Sequence, residues 1–181
     1  MNLRTLDLIV PPYARNILAN VAKTTSFATI GGGYLRDHYY RVPHKDIDIF
    51  VNTDIDRNKL KAAFSEWTMK EIGEDDEDGE YDALGNFSII ELTKDGETPV
   101  QIMLSEDYTN VESVLDRFDF GFCQIAYNGT NVLVSEAFWK DAADNTATFV
   151  LKKDGKSVHP QSDKHAGRLK EKYPNVTWVW P

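Results

Sequence analysis

The chain has 181 residues, 41% hydrophobic and 27% charged, with 4 Trp, 8 Tyr and 9 Phe, which suits one globular domain with a buried core and excludes a wholly disordered chain. No apolar run approaches the roughly 18 residues of a membrane span, and the short apolar start at 6–11 breaks at Pro11-Pro12, which excludes a secretory h-region; a single cysteine excludes an internal disulfide and a Cys-rich zinc site, so the expected location is the reducing cytoplasm, away from membranes. Net charge is −9, but unevenly spread: residues 71–82 carry eight acids and no base, whereas 152–172 carry seven bases and three acids, leaving room for a local anion site on a chain that otherwise repels nucleic-acid backbone.

In chain order, Pro11-Pro12 opens a helical pattern over 13–23, with Ile17, Leu18 and Val21 on one face. A short strand over 27–30 runs into Gly31-Gly32-Gly33, followed by a short helix over 34–41 that Pro43 ends. Residues 46–52 read as a strand. Asp54 is the expected cap of a helix over 55–67, and the acidic stretch 71–82 reads as a loop. Two strands, 86–93 and 99–104, form a hairpin across Lys94-Asp95-Gly96-Glu97. A helix over 109–118 precedes a second hairpin, 120–127 with 131–134, across Asn128-Gly129. A strand over 146–151, a polar loop, a helix over 162–172 and a terminal strand bearing Trp178 and Trp180 complete the chain. This order predicts an α+β (or α/β) domain with a mixed sheet flanked by helices. The division expected is a body over 1–151 with the basic segment 152–181 packed on it.

The informative stretch is Ile30-Gly31-Gly32-Gly33-Tyr34-Leu35-Arg36-Asp37, then Lys45-Asp46-Ile47-Asp48-Ile49-Phe50-Val51. Strand residues alternate faces, so Asp46, Asp48 and Phe50 point one way while Ile47, Ile49 and Val51 point into the core. Two carboxylates at i and i+2 lie roughly 6–7 Å apart at Cα, close enough to share a cation. Mg²⁺ takes oxygen ligands, commonly one or two carboxylates plus phosphates. A strand-to-helix turn of three glycines, Gly31, Gly32 and Gly33, allows close backbone approach to a ligand, and its N–H groups with the helix N-terminus favour phosphate. Arg36, one turn into the helix, offers a fork for a triphosphate. Cys123, in an apolar strand with no base nearby in sequence, reads as a small buried hydrophobe.

Gly32-Gly33-Tyr34-Leu35-Arg36-Asp37 followed by Asp46-Ile47-Asp48-Ile49 resembles the signature of the DNA polymerase beta nucleotidyltransferase superfamily. Its Gly-Gly-x-x-Arg-Asp form is similar to that of class II CCA-adding enzymes and bacterial poly(A) polymerases. Downstream, Asp116-Arg117-Phe118-Asp119-Phe120, leading into Cys123-Gln124-Ile125-Ala126-Tyr127, is similar to their second motif, Arg-Arg-Asp-Phe-Thr-x-Asn-Ala. The resemblance spans residues 27–127. It implies a nucleotidyltransferase fold, metal ligation and catalysis at Asp46 and Asp48, and nucleotide contacts from Gly31, Gly32, Gly33, Arg36, Asp37 and Asp119, the last beside the sugar. The position of a third carboxylate in many such proteins holds Gln101, with Glu91 on the partner strand as its candidate substitute.

The expected reaction is Mg²⁺-dependent transfer of a nucleoside monophosphate from a nucleoside triphosphate to an acceptor hydroxyl. Three destinations compete: an RNA 3′ end, a protein or small-molecule hydroxyl, and a degenerate head that binds a nucleotide or partner without transfer.

Overall fold

A computed structural model describes residues 1–72, 88–150 and 160–180. Its main element is an eight-stranded mixed sheet in the order β1-β8-β7-β2-β3-β6-β5-β4. The strands are β1 (Leu3–Leu6), β2 (Ala28–Gly31), β3 (Ile47–Val51), β4 (Thr68–Ile72), β5 (Ser88–Thr93), β6 (Val100–Leu104), β7 (Ile125–Tyr127) and β8 (Val132–Ser135). β3 and β6 run parallel; every other neighbouring pair is antiparallel. Two further short strands, β9 (Thr146–Thr148) and β10 (Thr177–Val179), pair in parallel as a separate small sheet. The architecture is the expected α+β fold, a mixed sheet with flanking helices.

Helix α1 (Pro12–Ala22) follows its apolar spacing, with Ala14, Ile17, Leu18 and Val21 buried as one stripe. α2 (Gly33–Tyr39) begins directly after β2. α3 (Arg57–Ala63) is shorter than the expected 55–67, and its cap is Asp56, whose carboxylate accepts from the N–H groups of Asn58 and Lys59, both at 3.0 Å. Asp54, the residue expected there, instead accepts from the Thr25 hydroxyl at 2.7 Å and the Ser26 N–H at 3.1 Å, tying the loop after β3 to the one before β2. α4 (Val111–Leu115) is a single short stretch, held by a reciprocal Asn110–Ser113 capping box. The expected strand 120–127 divides into a 3₁₀ turn (Gly121–Cys123) and β7.

Three elements were absent from the sequence expectation. β1 pairs with β8 at one edge of the sheet, and β4 pairs with β5 at the other. α5 (Glu136–Asp144) starts where the Ser135 hydroxyl accepts from the Phe138 N–H at 3.0 Å. α6 (Pro160–Lys172) extends the helix expected over 162–172 by two residues. The acidic residues 73–82 and the basic residues 152–159 lie outside the described residues.

The principal core lies on one face of the sheet, where Ile47, Ile49, Val51, Val100, Ile102 and Ile90 meet α1, α2, α3 and α5. A second cluster joins Phe120, Phe122 and Cys123 to Ala166, Leu169 and Tyr173 at α6, with Trp178 and Trp180 packed against it. Phe120 is fully buried at its centre, edge-on to Trp178 at 5.1 Å and Trp180 at 5.5 Å between ring centroids. Phe120→Ala should therefore destabilise the whole chain by about 3–5 kcal/mol in urea unfolding, with the tryptophan fluorescence and backbone circular-dichroism transitions still coincident. An early, separate fluorescence transition would show that the C-terminal residues are packed independently of the body.

Candidate active site

β3 decides the direction of the carboxylates. Ile47, Ile49 and Val51 have no solvent exposure, so alternation sends Asp48 and Phe50 to the opposite face. Asp46 immediately precedes the strand in the same phase. Asp48 lies opposite Gln101 of β6, and Gln101 lies opposite Glu91 of β5. These three partly exposed residues form a row across the sheet. At one strand spacing per step, Glu91 stands roughly 10 Å from Asp48 at Cα, two strands away from the carboxylate pair. Among the described residues, no group of three His, Cys, Asp or Glu side chains has metal-holding geometry. The candidate cation donors are the pair Asp46 and Asp48.

Their electrostatics fit such a role. Burial, then the neighbouring Asp46 charge, pushes the Asp48 carboxyl up to about 7, with Asp37 adding to the rise and Arg36 opposing it. Asp46 is raised as well, by burial first, while the positive charges of Lys45 and Lys172 oppose the rise. Two hard oxygen donors on one face, both disfavoured as anions by their surroundings, form a site where a divalent cation would replace the missing counter-charge.

The glycine turn abuts this face. Gly32 adopts φ +66°, and a Cβ there would fall 2.8 Å from the Phe118 ring, so backbone geometry and packing both require glycine. A Cβ at Gly31 would meet the Phe50 ring at 3.0 Å, whereas at Gly33 the nearest atom is Arg36 Nη2 at 3.6 Å. Phe50 meets Tyr108 and Phe118 edge-on, at centroid distances of 5.5 and 5.6 Å, and the Phe50 and Phe118 rings lie against the turn.

Arg36 differs from expectation in its direction. Only 5% of the residue is exposed. Nε and Nη2 donate to Asp37 Oδ1 at 3.0 and 2.8 Å, Nε also donates to Tyr173 Oη at 3.1 Å, and Nη1 donates to Cys123 Sγ at 3.1 Å. Its guanidinium also lies over the rings of Phe122 and Tyr173, at 5.5 and 5.3 Å from their centroids. Burial opposes its charge, but Cys123, Asp37 and Tyr173 more than offset that and hold it protonated. The fork expected to face a triphosphate is thus occupied inside the protein. Asp37 is buried too, and accepts from Arg36 and the Tyr173 hydroxyl on one oxygen and from Lys172 on the other. Asp119 accepts from the Ser162 hydroxyl at 2.8 Å and has His165 Nδ1 at 3.7 Å, so α6 touches the distinctive carboxylates of both sequence motifs.

The structure therefore brings Asp46, Asp48, Asp37 and the glycine turn to one region. It adds Lys172, Tyr173 and Phe118, which sequence reading did not assign to a site. Phe118 lay inside the second motif and carried a local signal. Lys172 carried only the general positive charge of the 152–172 segment and Tyr173 carried no signal, because their partner Asp37 is more than 130 residues away.

The raised Asp48 carboxyl has a measurable consequence without metal. Below about pH 4 the unfolded and folded states both hold this proton, and between about 4 and 7 only the folded state keeps it, so stability falls as pH rises. Asp48→Asn removes that loss, and in urea titrations with chelator it should be more stable than the wild type by about 1–3 kcal/mol at pH 8, with little difference at pH 4. An equal difference at both pH values would mean that packing, not charge burial, sets the effect.

The fold is similar to that of known tRNA-processing nucleotidyltransferases. A CCA-adding enzyme in complex with ATP matches 97% of this chain at 16% identity and a TM-score of 0.67, over 42% of its own length. The Thermotoga maritima CCA-adding enzyme complexed with tRNA matches 99% of this chain at 15% identity and 0.65, over 43% of its length. A tRNA-processing enzyme in an apo form matches 97% of this chain at 16% identity and 0.63, over 46% of its length. The chain spans less than half of each, and at these identities the likeness is one of fold. No protein of curated function matches it by sequence. The model of Gad2, described as Gabija anti-defense 2 family protein, matches residues 11–145, and on that match the chain belongs to the Gabija anti-defense 2 family.

Proposed function

We propose that the chain is a divalent-metal-dependent nucleotidyltransferase. The observation that carries this reading is the pair Asp46 and Asp48 on the partly exposed sheet face beside the glycine turn, held there by the burial of Ile47 and Ile49. The fold shared with CCA-adding enzymes, one of them in complex with ATP, supports it.

In this reading Asp46 and Asp48 hold Mg²⁺, which would neutralise triphosphate charge and make the acceptor hydroxyl a better nucleophile. The turn over Gly31–Gly33 lies next to the nucleotide phosphates, where the absence of side chains lets backbone approach. Asp37 and Arg36 act behind the turn, fixing α2 against α6. Asp119 is the candidate contact to the sugar, with Ser162 fixing its orientation. The acceptor oxygen attacks the α-phosphorus as the bond from that phosphorus to the bridging oxygen breaks. Pyrophosphate departs and the hydroxyl proton leaves to solvent. Positioning and charge neutralisation supply the catalysis.

The family description and the net charge of −9 favour a protein or small-molecule acceptor connected with the Gabija defence over an RNA 3′ end. The test is incubation with each of the four α-³²P-labelled nucleoside triphosphates and Mg²⁺, with total RNA, and with lysate of cells that do or do not carry Gabija. Label should enter protein or a small molecule, most strongly in the Gabija lysate. Asp46→Asn and Asp48→Asn should each lower it by at least about a hundredfold. Label in RNA would redirect the acceptor, and undiminished transfer by both variants would remove the proposed catalytic pair.

A further inference from the structure

The expected triphosphate-binding cation, Arg36, has its guanidinium nitrogens engaged by Asp37, Tyr173 and Cys123 and is covered by two rings. A triphosphate carries several negative charges, and a transferase gains rate by placing fixed cations against them. Another positive group near the carboxylate pair is needed for that role.

Lys172 occupies such a place. It is the last residue of α6, and Tyr173, Leu169 and Ala166 are buried in the second core cluster and anchor that helix end. Its ammonium donates to Asp37 Oδ2, so the carboxylate at the centre of the Arg36 network also holds this second cation. Unlike Arg36, the Lys172 side chain is open to solvent, at 27% exposure against 6%. Asp37 lies in α2, which packs on β3, the strand that carries Asp48 and follows Asp46, and the Lys172 charge acts favourably on Asp46. An ammonium has three N–H donors, and the bond to Asp37 uses one. Lys45 also attracts Asp46, but as its exposed sequence neighbour before β3, whereas Lys172 is positioned by the buried Asp37.

We infer that Lys172 is the triphosphate-binding cation of this site, donating to non-bridging phosphate oxygens while Asp37 holds it in place. The assignment rests on the nucleotidyltransferase reading above and specifies it: the residue that meets the phosphate chain comes from the C-terminal helix, not from the glycine-turn helix. It predicts that Lys172 distinguishes nucleotides by phosphate count and is indifferent to the base.

Two measurements test it. In the wild-type protein, the rate of Lys172 acetylation by acetic anhydride is followed by mass spectrometry, with exposed Lys61 of α3 as reference. Mg²⁺ with ATP, or with inorganic tripolyphosphate, should slow Lys172 modification at least about fivefold, while adenosine leaves it unchanged. In parallel, Lys172→Met should weaken ATP binding about tenfold and AMP binding less than about twofold, with Lys172→Arg restoring most of the ATP affinity. Unprotected Lys172 under saturating ATP, equal protection by adenosine, or equal loss of ATP and AMP affinity overturns the assignment and leaves nucleotidyl transfer standing. A wild-type protein that binds none of the four nucleoside triphosphates with Mg²⁺ or Mn²⁺ overturns both. The acetylation arm needs no variant, so it stands if Lys172→Met fails to fold.

Discussion

Strand β3 can occupy its place in the sheet in only one register. Ile47, Ile49 and Val51 are wholly buried against the helices, between β2 on one side and β6 on the other. A slip of one residue would drive Asp46 and Asp48 into that core and turn three large aliphatic side chains toward water. The register that fills the core is therefore also the one that crowds two carboxylates onto the opposite face. Asp48 bears the consequence, with a carboxyl that burial and its acidic neighbours hold far above the ordinary aspartate range. Such a group weakens the metal-free fold at neutral pH and strengthens any bound state that supplies positive charge. Stability and proposed function pull against each other at a single side chain.

The second organising interaction is the Asp37 carboxylate. It lies in α2, five residues after Gly32, and collects donors from Arg36 beside it and from Lys172 and Tyr173 at the far end of the described chain. Breaking one arm of a buried ion pair leaves the other uncompensated, so α6 is fixed to α2 strongly and specifically. Through Ser162 the same helix reaches Asp119. One C-terminal helix thus spans both groups of residues that resemble nucleotidyltransferase motifs, and fixes their spacing in a chain that matches less than half the length of the CCA-adding enzymes sharing its fold.

What could be read from the sequence follows from the range of the interactions. The alternation of Asp46, Ile47, Asp48 and Ile49 is local, and it predicted both faces of β3 correctly. The glycine run was legible for the same reason, since β2 ends at Gly31 and α2 begins at Gly33. Choosing between Asp54 and Asp56 as the cap of α3 was not possible locally, because the choice depends on Thr25 and Ser26 on another loop. β1 and β4 are short edge strands defined by partners far along the chain. Arg36 is the clearest case. Its place in Gly-Gly-x-x-Arg-Asp suggested an outward fork, but its direction is set by Cys123 and Tyr173, 87 and 137 residues away. α5 is a different matter: Ser135 before Glu136 was a readable N-cap signal that the neighbouring strand pattern obscured.

The most direct test of the account is an anomalous-difference map from crystals grown with Mn²⁺ and a non-hydrolysable nucleoside triphosphate analogue. A manganese peak is expected between the carboxylates of Asp46 and Asp48, with the phosphate chain running from it toward the turn over Gly31–Gly33. An ordered nucleotide or manganese bound elsewhere, with the Asp46–Asp48 face empty, would contradict it.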